Sequence, residues 1–122
     1  MSDTVCLIIR KAPYGKINAA EAVRHVNGAL ASGLEPLVIL MGDGVYLARD
    51  NQHAAKAGWT SLSDALSQVP TSKGGEGARF YVHQESLADR GIEPDGPMKQ
   101  FKVVSSQEMA GFVASCPRML LF

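Results

Sequence analysis

The sequence predicts an α/β three-layer sandwich, a sheet of about five mostly parallel strands with helices on both faces. Three observations predict it. Val5-Cys6-Leu7-Ile8-Ile9 is continuously apolar rather than alternating, as in a strand covered on both faces. A second such run, Leu37-Val38-Ile39-Leu40-Met41, follows one stretch of helical periodicity, giving a strand, helix, strand unit. Beyond it, short apolar segments at 80–82, 101–104 and 119–122 alternate with helix-capping patterns, so right-handed crossovers place helices on both sides of one sheet.

The elements follow in order. After the loop Lys11 to Lys16, Asn18 and Glu21 have the spacing of a capping box, and Val23, Val26 and Leu30 recur at helical spacing. The spacing predicts a helix over Ala19 to Ser32, with Gly33 taking the left-handed position after it. Pro36 opens the second strand and Gly42-Asp43-Gly44 stops it as a tight turn. Val45 to Gly58 reads equally as a short helix or a loop. Ser61 caps a helix running to Val69 and ended by Pro70, and the glycine-rich segment Thr71 to Gly77 reads as a mobile surface loop. Phe80-Tyr81-Val82 is a third strand, followed by a short polar helix over Glu85 to Arg90 that Gly91 ends, and Glu93 to Pro97 is turn chemistry. Phe101 to Val104 is a fourth strand. Ser105 and Glu108 form a second capping box, and Met109, Phe112, Val113 and Cys116 share one face of a helix stopped by Pro117. Met119 to Phe122 closes the sheet.

Composition narrows the function classes. The 122 residues and 13.0 kDa fit one domain over 1–122, and 46% hydrophobic residues suffice for a core without staples. Twelve Lys+Arg against twelve Asp+Glu give no net charge, which argues against direct nucleic-acid binding. Neither apolar run approaches the roughly 20 residues of a membrane span. The N-terminal Met-Ser-Asp-Thr carries no secretory pattern, so the expected location is cytoplasmic, with both cysteines reduced.

In parallel sheets ligands bind beyond the carboxyl ends of the strands, which directs attention to Lys11 to Lys16, Gly42 to Gly44, His83 to Glu85 and Ser105. The first of these loops lacks the glycine and hydroxyl character of a phosphate cradle. Receiver-domain chemistry needs an acidic pair after the first strand and an aspartate after the third, where this chain has Arg10-Lys11 and His83. His25 lies four residues after Glu21 and is expected in an exposed ion pair with it. His53 carries no spacing information. His83, with Glu85 close behind, directly follows a buried strand, where a structural or interface role outweighs catalysis. No cluster has zinc-ligand spacing, so neither a metal nor a cofactor is expected. Cys6 falls inside the first strand as a small core residue. Cys116 lies on the apolar face of the last helix, at the negative end of its dipole, an unfavourable place for a thiolate.

Lys11-Ala12-Pro13-Tyr14-Gly15, the helix opening Asn18 to Arg24, Gly42-Asp43-Gly44-Val45-Tyr46 and Ser86 to Gly91 together resemble the DsrE/DsrF/DsrH (TusB/TusC/TusD) sulfur-relay superfamily, with the DsrF/TusC-type subunits nearest in pattern. The resemblance implies a DsrE-like fold and a subunit of an intracellular persulfide-transfer assembly. It further implies trimers or hexamers formed with other subunits of the superfamily or with itself, and contact with a sulfur-carrier protein. DsrE/TusD members carry the transferable sulfur on a cysteine just after the third strand; here that position is His83. Imidazole cannot form a persulfide, so the resemblance implies an accessory, noncatalytic subunit. Lys11, Tyr14, Gly15, Asp43, Gly44, His83 and Glu85 are its candidate binding or interface residues. Two alternatives stand beside it: a homo-oligomeric anion- or small-molecule-binding module using Lys11, Lys16 and His83, and sulfur carried on Cys116.

Overall fold

The computed structural model describes residues 4–11, 18–48, 78–93, 101–116 and 118–122. Its sheet has five strands, β1 (Thr4–Ile9), β2 (Glu35–Leu40), β3 (Arg79–His83), β4 (Lys102–Val104) and β5 (Met119–Leu121), in the order β4-β3-β2-β1-β5. Every pairing is parallel. Among the described residues three α-helices accompany them, α1 (Asn18–Ala31), α2 (Gln84–Asp89) and α3 (Ser106–Ser115), together with a 3-10 helix over Gly42–Ala48. The expected helix at 61–69 and the loops at 71–77 and 94–97 lie outside the described residues.

All six residues of β1 are buried, because the strand has neighbours on both edges and helices over both faces. The period of two sorts its side chains cleanly. Val5, Leu7 and Ile9 join Val38, Leu40, Phe80 and Val82 on one face, under Ala22, Val23, Val26 and Ala29 of α1 and Leu87 of α2. Cys6, Ile8, Leu37, Ile39 and Val104 face the other way, under Met109 of α3, with Tyr81 stacked on Phe112 at 4.4 Å. Each large aliphatic side chain buried in these layers contributes about 1.5–3 kcal/mol relative to exposure. The sandwich read from the sequence is the observed architecture.

Local signals act as the sequence requires. Gly33 ends α1 at φ 79°, and the Leu34 N–H donates to the Ala29 carbonyl at 2.9 Å across it. Ser105 caps α3 in a complete capping box with Glu108. Three details differ. The segment after β2 is not a simple turn: Gly42 begins a 3-10 helix that runs to Ala48. Glu21 pairs with Arg24 rather than His25, because Arg24 is also one turn along and always charged; His25 Nδ1 instead lies 2.7 Å from the Glu21 carbonyl, and its ring tilts on Phe122. Strand β5, apolar throughout, sits at the sheet edge with Met119, Leu120 and Leu121 all exposed. Among the described residues no helix is long and apolar enough to cross a membrane.

Candidate functional site at the carboxyl ends of the strands

Strands β2, β3 and β4 all end on one side of the sheet, delivering Gly42, His83 and Ser105 to adjacent positions. The approach there is close. Met41 N–H donates to the Ile9 carbonyl at 3.0 Å, and Gly44 N–H to the Met41 carbonyl at 3.0 Å. A Cβ on Gly44 would stand 2.0 Å from the Ile9 oxygen, so only glycine lets the 3-10 helix pass over the end of β1. Gly44 is therefore a packing residue.

His83 is the last residue of β3 and the N-cap of α2. Its side chain is 13% exposed and both ring nitrogens are engaged. Nδ1 lies 2.6 Å from Ser86 Oγ, one turn along α2, and Nε2 lies 2.6 Å from Ser106 Oγ, the first residue of α3. Ser86 Oγ also accepts the Gly42 N–H at 2.9 Å. Ser106 N–H donates to Glu85 Oε2 at 3.1 Å. A neutral imidazole donates from one ring nitrogen and accepts at the other, and a hydroxyl can do either, so both serines can pair with His83. The result is one connected network from Gly42 through Ser86 and His83 to Ser106 and Glu85. Ser106, through its side chain and then its N–H, holds the Glu85 carboxyl below the ordinary range, and the positive charge of His83 adds to this when the ring is protonated.

The arrangement settles what the site can do. Both ring nitrogens of His83 are occupied, Nδ1 by the Ser86 hydroxyl and Nε2 by the Ser106 hydroxyl. The imidazole is held in place between two hydroxyls rather than turned toward open solvent. The ring ties the starts of α2 and α3 together and leaves Ser106 and Glu85 on the surface.

Of the residues read from the sequence, Asp43, His83 and Glu85 come together. Asp43 Oδ1 accepts from Arg90 Nε at 3.0 Å and Nη2 at 2.9 Å, while Arg90 Nη1 donates to the Ser86 carbonyl at 3.2 Å. Lys11 is half-buried at the end of β1; among the described residues no hydrogen bond or ion pair joins it to this chain. Tyr14, Gly15 and Lys16 lie outside the described residues. Cys116 is remote from His83: it caps α3 and packs on the cluster around Cys6. Three participants were not singled out as site residues in the sequence: Ser86, Ser106 and Arg90. Ser86 carried a usable signal, its i+3 spacing from His83 across a helix start. A shallow groove of about 410 Å³ opens elsewhere, over Val5, Leu7, Ala29 and Leu120, and contains none of these groups. Among the described residues no three His, Cys, Asp or Glu side chains gather as for a metal.

Residues 3–122 match the model of the DsrE/DsrF-like family. An uncharacterized protein of Methanocaldococcus jannaschii is 40% identical over 117 residues, covering 95% of this chain and 96% of its own. The intracellular sulfur oxidation protein DsrF of Allochromatium vinosum is 35% identical over 86 residues, 70% of this chain and 61% of that protein. Among solved structures, the ychN protein from E. coli superposes with a TM-score of 0.84 at 18% identity over 100% of both chains. A protein of unknown function from Methanobacterium thermoautotrophicum superposes with a TM-score of 0.73 at 17% identity over 98% of both.

Proposed function

The chain belongs to the DsrE/DsrF-like family, and from that premise we propose that it is an accessory subunit of an intracellular sulfur-relay assembly. One domain over 1–122 acts by oligomerising with other family subunits or with itself, as a trimer or hexamer in the cytoplasm, without carrying the persulfide. The observation that carries the reading is His83. It stands at the end of β3, where the family resemblance puts the carrier cysteine, and both its nitrogens are committed to hydroxyls at 2.6 Å. A thiolate would attack a persulfide donor from this position; an imidazole held between two hydroxyls supplies shape and polarity instead. The 35% identity to a protein named for intracellular sulfur oxidation supports the pathway class.

Persulfide transfer tests the reading. The wild type, Cys116→Ser and His83→Cys are each loaded from a low-molecular-weight persulfide and offered an acceptor thiol. The wild type is expected to pass on no sulfur, and His83→Cys to gain transfer. Transfer by the wild type that disappears in Cys116→Ser would make this chain a carrier and overturn the accessory role.

A further inference from the structure

We infer that Cys6 and Cys116 form a redox-reactive thiol pair, which closes to an intramolecular disulfide when a peroxide oxidises the outer thiol. The pair is separate from the His83 site, lying around β1 rather than at the end of β3. Cys6 sits mid-strand in β1, fully buried, with its Cα paired to Met119 of β5. Its N–H donates to the Arg118 carbonyl at 2.8 Å, and the Cys116 thiol donates to that same carbonyl at 3.1 Å. Two bonds to one oxygen place the Cys116 sulfur within about 6 Å of the Cys6 nitrogen, beside the strand residue it would have to reach. Both thiols are free, both pack in the cluster under α3, and Cys116 is near enough to act on the Cys6 thiol.

Their environments divide the labour. Burial, and then the neighbouring Cys116 thiol, push Cys6 up to about 12, so it stays protonated and shielded. Cys116 ends α3 only half-buried and is the sulfur that an oxidant meets. Its sulfur attacks one peroxide oxygen; the S–O bond forms, the O–O bond breaks, and the departing hydroxide takes the thiol proton as water. Cys6 then attacks the sulfenic sulfur, the S–S bond forms, the S–O bond breaks, and hydroxide leaves with the Cys6 proton as a second water. Two thiols lose two electrons and one hydrogen peroxide becomes two waters. The product ties the end of α3 to the centre of β1.

Peptide mapping after hydrogen peroxide treatment, with alkylation of the remaining thiols in denaturant, reads the outcome. In the wild type both cysteines are expected to become unreactive together, in one cross-linked peptide pair lighter by two hydrogens. Cys116→Ser should slow the loss of Cys6 by more than about tenfold. Cys6→Ala, which keeps the core apolar, should leave Cys116 as a sulfenic acid trapped by dimedone. Cys116 oxidised while Cys6 stays free in the wild type, or Cys6 lost equally fast in Cys116→Ser, would overturn the pair.

Discussion

The network around His83 and the thiol pair around Cys6 are built on opposite rules. The first lies where three strands end, at a place rich in hydroxyls and backbone donors, and every group in it is hydrogen-bonded. The second lies inside the sheet and under a helix, where the packing is aliphatic or aromatic, Arg79 is the charge that acts on Cys6, and the Cys116 thiol meets one carbonyl. The strand-end position that suits ligand chemistry holds no thiol, and the described thiols sit in apolar packing.

The largest way to break this contrast is alkali. The unfolded Cys6 thiol ionises from about 9.0, whereas the folded one stays protonated to about 12. Its contribution is complete below pH 9 and declines as pH rises toward 12, at about 1.4 kcal/mol per pH unit. Denaturant unfolding of the wild type should lose stability across that window faster than Cys6→Ala does; parallel curves would show that the site is not dry. Next comes Gly44→Ala, whose new methyl carbon would meet the Ile9 carbonyl at 2.0 Å. A loss of roughly 3 kcal/mol is expected, and a urea midpoint within error of the wild type would mean the 3-10 helix passes β1 with more room. Ser86→Ala sharpens the polar side, since it leaves the Gly42 N–H and His83 Nδ1 unpartnered in a partly buried place. About 1–3 kcal/mol should be lost, together with a change in the His83 ring resonances by NMR. Arg90→Ala should matter least: its Asp43 partner is 58% exposed, and pairs of this kind contribute under about 1 kcal/mol. A thermal midpoint that falls as far as in Ser86→Ala would give Arg90 a larger share in the network.

What could be read from the chain divides along the same line. Continuous apolar runs announced β1 and β2 because burial on both faces leaves no room for polar alternation, and Ser105 with Glu108 announced α3 because capping is a contact across three residues. Gly33 stopped α1 for an equally local reason. His83 and Glu85 were legible as strand-end residues, but the network itself was not. It joins Gly42, Ser86 and Ser106 across 44 and 23 residues, and only the order of strands makes them neighbours. The 3-10 helix was hidden for a similar reason, since Gly44 answers to the end of β1 rather than to its own segment. Strand β5 misleads in the other direction: Met119-Leu120-Leu121 is as apolar as β1, yet its place at the sheet edge leaves it exposed.

Native mass spectrometry of the untagged protein purified from its own cells tests the accessory role most directly. The expected result is a trimer or hexamer of defined stoichiometry containing this chain, either alone or with a family subunit that carries a cysteine after its third strand. A strictly monomeric protein that brings no partner with it would contradict that role.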